Sequence, residues 1–310
     1  MRWFGRSLLA AIPVAAGVVV CVFLLLRIVP GDPAQMILGD QATTASIEAL
    51  RARLGLEAPI GQQLLAYLAG VFTRADIGTS LVTDQSVLGL IGTRAPLTAL
   101  LVALAVGFTV LIAVPLAVLA ATGKDGPLDH IVRVFPTIGM AMPAFWVGLV
   151  LILVFGVGLR WFPVGGIGTG PFDPLRSLVL PAFTVALGMS PPLIRSLREQ
   201  LVEVLDADFV VMLEAAGLPR RRVLWHVLRN AAAPAVSLLG VNVAYLLGGT
   251  IVIEKVFALN GLGALLFSSI STRDFPVVQG IALVSALGVV VVSLVTELIV
   301  AALDPRVRTA

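Results

Sequence analysis

Cysteine is nearly absent. Cys21 is the only one in 310 residues, so no internal disulfide framework can form. There are two histidines, His130 and His226. They lie far apart, and neither has a neighbour at ligand spacing, so no clustered metal site is expected. Charge is scarce as well. Asp, Glu, Lys and Arg make up 13% of the chain, against 58% hydrophobic residues, whereas a soluble domain carries about 25% charged residues. No GxxxxGK[ST] stretch occurs, so the chain has no loop of its own to cradle nucleotide phosphates. No nucleophile–base pattern stands out either. These absences exclude a soluble globular enzyme, a disulfide-stapled secreted domain and a self-sufficient nucleotide hydrolase.

What remains is long apolar sequence. It reads as an all-α membrane protein, because helices close their backbone hydrogen bonds internally in lipid. A span needs roughly 20 apolar residues. Six transmembrane helices are expected, at about 8–29, 97–121, 133–157, 177–196, 232–253 and 277–302. The first, preceded by Arg2 and Arg6, is too long for a signal core and lacks a small-residue cleavage site. Cys21 follows Val20 within the same run, so it reads as a small buried hydrophobe, not a lipid attachment point. Arginine outnumbers lysine 19 to 2, a genomic bias. The net charge of +3 is spread over short loops, so no nucleic acid partner is expected. Twelve of the 21 positive residues fall on one side of the expected topology. The positive-inside rule then makes both termini cytoplasmic.

Residues 30–94 form an external helical segment. "TASIEALRARLGLEAP" reads as one helix stopped at Gly55. "PIGQQLLAYLAGVF" reads as a second, opened by Pro59, with Leu64, Leu65, Leu68 and Phe72 on one face. That face is expected to pack on the external ends of the spans or on lipid headgroups, with contact to an external partner as the less common alternative. "WFPVGGIGTGPFDP", residues 161–174, is a turn-rich external loop. Its glycines lack the strand and helix context of a nucleotide fingerprint.

Between the fourth and fifth spans lies "FVVMLEAAGLPRRRVLWHVLRNAAAP", residues 209–234. Asp208 is a candidate N-cap for a helix from Phe209 to Ala216. Gly217 supplies a left-handed stop, and Pro219 prevents continuation. Two turns are marginal alone in water. Phe209, Val210, Val211, Met212 and Leu213 run all the way round, so the helix needs a groove. A basic helix follows and ends at Pro234, where the fifth span begins. Dipping into the headgroups is an equally good reading from physics alone.

Six separated stretches resemble the oligopeptide/dipeptide/nickel permease family of bacterial ABC importers. They are "RIVPGDP" at 27–33, "ADIGTS" at 75–80, "DADFVVMLEAAGLPRRRVLWHVLRNAAAP" at 206–234, "GGTIVIEKVFALNGLG" at 248–263, "TRDFPVVQG" at 272–280 and "ALDPRVR" at 302–308. The resemblance implies a type I importer permease fold. The N-terminal helix would cover 1–29, the external segment 30–94, and the transporter transmembrane domain 95–310, with a coupling hairpin at 206–230. It implies that Phe209, Val210, Val211, Met212, Leu213, Glu214, Ala215, Ala216 and Gly217 contact an ATPase subunit. The general importer pattern leaves three residues between its EAA positions and the glycine. With Gly217 setting the register, those positions fall on Val211, Met212 and Leu213, and the written "EAA" at 214–216 is a chance match.

The expected function is a non-catalytic permease subunit of an inner-membrane importer, forming half of a pore for peptides or similar small solutes. The family also carries nickel and metal–chelate complexes. The implied partners are a second permease, one or two ATPase chains and an external solute-binding protein. ATP and Mg would sit on the ATPases, with no cofactor in this chain. Asn242, Tyr245, Gly248 and Gly249 are the candidates for the translocation path, with Thr250 as a further polar group. Helix–helix hydrogen bonding is the commoner use of such residues. Glu297 is an intramembrane acid and so a functional candidate, although snorkelling or pairing with an arginine is the ordinary role. The alternative is a secondary transporter or channel that works without ATPases. Its signature would be a repeated half with broken helices, and no such repeat is present in the sequence.

Overall fold

The computed structural model describes residues 13, 16–18, 20–24, 35, 43–53, 57–74, 77–127, 129–132, 134, 142–168, 170 and 173–303. Most of the expected first span lies outside the described residues, as do Gly55, "RIVPGDP" and all of "ALDPRVR" beyond its first two residues. The elements are α1 Thr44–Arg53, α2 Ile60–Arg74, α3 Val87–Thr122 and α4 Ala144–Leu151, the last continued as a π-helix over Ile152–Gly158. Then come α5 Asp173–Leu205, α6 Asp208–Ala215, α7 Arg220–Val256, α8 Leu262–Ser271 and α9 Phe275–Leu303. Among the described residues there is no strand, only an isolated bridge between Thr79 and Ser86.

Among the described residues four helices are long and apolar enough to cross a membrane: α3, α5, α7 and α9, with 36, 33, 37 and 29 residues. At 1.5 Å per residue they are about 44–56 Å long, against about 30 Å of hydrocarbon. They therefore overrun the expected spans at both ends. An apolar window sees only the part in lipid, whereas the helix continues through the headgroups. Pro234 does not divide the basic helix from the fifth span, because α7 runs through it. The third expected span corresponds to Ala144–Gly158, shorter than a full crossing, and residues 135–141 before it lie outside the described residues.

Packing follows side-chain size. α3 lies along α5, and α7 packs on both α5 and α9. Ala105, Ala113, Ala117 and Ala120 of α3 are fully buried, and small residues let membrane helices approach closely. α2 turns Tyr67, Leu68 and Val71 onto a cluster with Ile77, Val87 and Ile91. Leu65 instead points outward, because it stands about 100° round the helix from Leu64. The side chain of Phe72 is outside the described set. The π-helix carries Gly156, where a Cβ would come within 2.9 Å of Val164. The following loop folds back there, with the rings of Phe155 and Trp161 5.7 Å apart.

Buried charge sits at the two ends of the bundle. At the arginine-rich end Asp129 is wholly enclosed and receives two bonds from Arg198, at 2.7 and 2.6 Å. The Asp125 N–H donates to it as well. At the opposite end Asp274 accepts from the Ser80 hydroxyl and from the Leu81 N–H. Glu254 accepts from Thr98 at 2.7 Å and from the Ala264 N–H at 2.8 Å, while Thr98 accepts from the Leu262 N–H. Glu254 and Thr98 together satisfy the first turn of α8, whose cap residue Gly261 has no side chain to do so.

Removing one partner of a buried ion pair costs about 3–5 kcal/mol, because the other charge is left uncompensated. Asp129→Ala should therefore lower the thermal midpoint of the detergent-purified chain. The double change Asp129→Ala/Arg198→Met should cost less than Asp129→Ala alone. Equal midpoints for wild type and Asp129→Ala would mean that the pair adds nothing.

Candidate functional site

The hairpin between α5 and α7 is built by its backbone. α5 ends at Leu205, and Ala207 takes an extended conformation, φ −80° and ψ 144°, which makes it the N-cap of α6. Asp208 is thus not the cap. It is the first helical residue, where its carboxylate complements the helix dipole. At the other end the Leu218 N–H donates to the Leu213 carbonyl at 3.2 Å, and the Gly217 N–H to the Glu214 carbonyl at 2.9 Å. Gly217 has φ +74°. This pair of bonds around a left-handed glycine is the Schellman motif. Pro219 then caps α7 with extended geometry. The glycine stop and the proline behave as the sequence implies.

The five consecutive apolar residues divide into two faces. Val210 is buried, and Phe209, Leu213 and Leu218 pack with it on Leu197, Leu201, Val223 and Val227. Fully burying such a side chain is worth about 1.5–3 kcal/mol. Part of the groove that the helix needs is therefore supplied by its own chain. Val211 and Met212 point away, 64% and 69% exposed, beside exposed Glu214, Ala215 and Ala216. Of the three positions set by the Gly217 register, Val211 and Met212 project and Leu213 does not. Arg220, Arg221 and Arg222 are exposed at the start of α7. Trp225 stands exposed one turn further on, a large apolar surface that the basic reading of this helix passed over. Lys124 reaches across to Asp206 at 3.0 Å, tying the end of α3 to the base of the hairpin.

Three of the four path candidates come together. Asn242, Tyr245 and Gly249 line a cleft of about 270 Å³ with Gly188, Met189 and Pro192 of α5. Proline at 191 and 192 removes backbone donors from α5 at this level. Gly248 is exposed and stands outside this cleft. Thr250 is buried and faces Gly263 of α8, away from the cleft. Close helix packing belongs to Gly240, where a Cβ would collide with the Thr296 side chain of α9; at Gly248 and Gly249 it would meet nothing within 4 Å. The glycines that permit helix contact and the glycines that face open space are thus different ones. Among the described residues no group of three His, Cys, Asp or Glu could hold a metal ion.

Residues 113–309 match the family described as binding-protein-dependent transport system inner membrane component, and residues 1–102 match its N-terminal companion. The chain belongs to this family of ABC importer permeases. Relatives of full length agree. The oligopeptide transport system permease protein AppB of Bacillus subtilis is 35% identical over 310 residues, covering 98% of each chain. A putative peptide transport system permease protein of Brucella abortus is 37% identical over 302 residues, covering 96% of each. The glutathione transport system permease protein GsiC of Pectobacterium atrosepticum is 34% identical, covering 99% of each. In the solved inward-facing MetNI methionine ABC transporter, one chain superposes with a TM-score of 0.56 at 16% identity, over 70% of this chain and 97% of that one. The fold is therefore that of an importer permease, and the protein is a multi-pass component of the inner membrane.

Overpacking a close helix contact costs about 1–3 kcal/mol. Gly240→Val should accordingly lower the thermal midpoint of the purified permease. Gly248→Ala and Gly249→Ala, which meet no neighbour, should stay within about 0.5 kcal/mol of wild type. A Gly240→Val midpoint equal to that of the wild type would remove the α7–α9 contact from the packing.

Proposed function

We propose that this permease forms half of the translocation pore of an ATP-driven, binding-protein-dependent importer for peptides or similar small solutes. α6 would be the lever that couples it to an ATPase. The observation that carries this reading is the mounting of α6. Its inner face is packed into the bundle, and on its outer face Val211 and Met212 are left exposed by the described residues. An apolar tip held rigidly in this way suits insertion into a cleft on another protein. Phe209 and Leu213 serve as the mount, and Arg220 to Arg222 frame the tip. The printed names of the relatives, which specify oligopeptide, peptide and glutathione transport, support the solute class.

The partners on this reading are a second, related permease, one or two ATPase chains that bind ATP and Mg, and an external solute-binding protein. The permease itself carries out no chemistry. Closure of the ATPases would pull α6 as a rigid body. Because α6 is bonded to α5 and α7, both would tilt, and the cleft between them at Asn242, Tyr245 and Gly249 would change shape. The arginine-rich end would face the cytoplasm, with six crossings and both termini inside.

Two experiments test this. Val211→Asp or Met212→Asp in the assembled complex should reduce substrate-stimulated ATP hydrolysis and uptake about tenfold or more, as for a central interface residue, while the chain's own thermal midpoint stays put. Phe209→Ala should instead lower that midpoint. Unchanged hydrolysis and uptake with both aspartates in place would reduce the hairpin to an ordinary loop. For orientation, Cys21→Ser removes the only native thiol of the chain. A cysteine at Pro59 should then react with an impermeant reagent from outside, and one at Arg221 only from inside. Labelling of Arg221→Cys from outside alone would overturn both the orientation and the lever.

A further inference from the structure

A second cleft, of about 570 Å³, opens between α7 and α9 and is lined by Ser237, Tyr245, Ser293, Thr296 and Glu297 among others. Its size falls in the range of small-molecule sites. Among the described residues Glu297 is the one carboxylate in its lining. The Oε2 atom of Glu297 is fully enclosed and has no hydrogen-bond partner among the described residues. The Thr296 hydroxyl donates to the Val292 carbonyl at 2.7 Å, and the Ser237 hydroxyl to the Ala233 carbonyl at 3.1 Å. With their hydrogens committed to the backbone, both hydroxyls turn only lone pairs to the cleft. No cationic side chain lines it among the described residues. A carboxylate backed by two acceptor hydroxyls suits a donor-rich cation and repels an anion.

Tyr245 lines both this cleft and the α5–α7 cleft that holds Asn242 and Gly249, and is itself 78% exposed. The two clefts thus follow one another along α7. From Gly249 to Ser237 is about 18 Å at 1.5 Å per residue, directed toward the arginine-rich end. The second cleft also has far more room than the tip of one lysine or arginine would fill, which favours a passing solute over a side chain of a partner. Gly240 makes the arrangement possible by letting Thr296 sit against the α7 backbone, which brings Glu297 to the cleft wall.

We propose that the Glu297 cleft is a transit site for solutes bearing an ammonium group, with Glu297 as the counter-charge. The proposal rests on the permease reading and deepens it, naming the charge that the path favours in its cargo.

The test uses the assembled complex in membranes, with Cys21→Ser and Ser293→Cys in this chain. A trimethylammonium-ethyl methanethiosulfonate and a neutral hydroxyethyl methanethiosulfonate are compared by mass shift. Glu297→Gln should lower the cationic-to-neutral rate ratio roughly fivefold, the effect of one nearby charge partly screened by water. Glu297→Asp should retain most of that ratio. An unchanged ratio overturns the proposal. This readout needs no transport, so it stands even if the complex imports no peptide, the outcome that would instead refute the solute class proposed above. In proteoliposomes the Glu297→Gln complex should take up trialanine more slowly, with little change for N-acetyl-trialanine relative to wild type. Equal losses for both, or loss of the second permease on purification, would make Glu297 an interface residue and overturn the transit role.

Discussion

A buried charge needs a donor, and in this bundle the donors that three enclosed carboxylates find within the chain tie its distant segments together. Lipid offers no hydrogen bonds, so a carboxylate is tolerated only where helix ends or loops bring donors to it. Asp129 obtains them from Arg198 and from the Asp125 backbone. Asp274 obtains them from Ser80 and the Leu81 backbone, and Glu254 from Thr98 and the Ala264 backbone. Each of these joins segments far apart in the chain. Together they clip α3, α5, α7 and α8 at the two ends and leave the middle to apolar packing. The clefts lie in that middle, between the two clipped ends.

The hairpin depends on the same division. A two-turn helix has little stability of its own, so α6 can serve as the lever proposed above only if it borrows stiffness. α6 borrows it twice: from the two capping bonds around Gly217 and from Phe209, Val210 and Leu213 seated on α5 and α7. The Asp129–Arg198 pair holds the segment after α3 to α5 just below that seat. On the proposed coupling role, a push on Val211 or Met212 would meet a body already packed on two long helices, which would give a small contact a long reach.

Much of this was legible in the sequence. The long helices follow from apolar runs, and the hairpin's corner from Gly217 before Pro219, since few residues other than glycine accept φ +74° without strain. What was not legible has identifiable causes. Five successive apolar residues in α6 carry no periodicity, so nothing local says that Val210 turns in and Val211 out. The helix start was placed on Asp208 by residue preference, but the extended backbone belongs to Ala207. The three clipped carboxylates bond to partners 69 to 194 residues away in most of their contacts, and no window detects that. Two of them nonetheless stand in stretches that carry the family resemblance, "TRDFPVVQG" and "GGTIVIEKVFALNGLG". Ser80, the partner of Asp274, lies in a third such stretch, "ADIGTS".

Set against those three, Glu297 is the exception that gives the membrane interior its direction. It has an acid's desolvation cost and, on Oε2, no donor from the described chain to offset it. Tyr67, Ser177, Asn242 and Thr250 each also hold an enclosed polar atom without a partner among the described residues, but none of these is a carboxylate. Along α5 the hydroxyls of Thr184 and Ser190 are bonded to their own helix, whereas that of Ser177 is not. An unsatisfied buried polar group costs about 1–3 kcal/mol, and more where the group is charged, so Glu297 has the most to gain from a donor outside the described chain. On the transit role proposed above, the donor that meets Glu297 and the acceptor hydroxyls around it is the cargo, which can arrive and leave as a fixed side chain cannot.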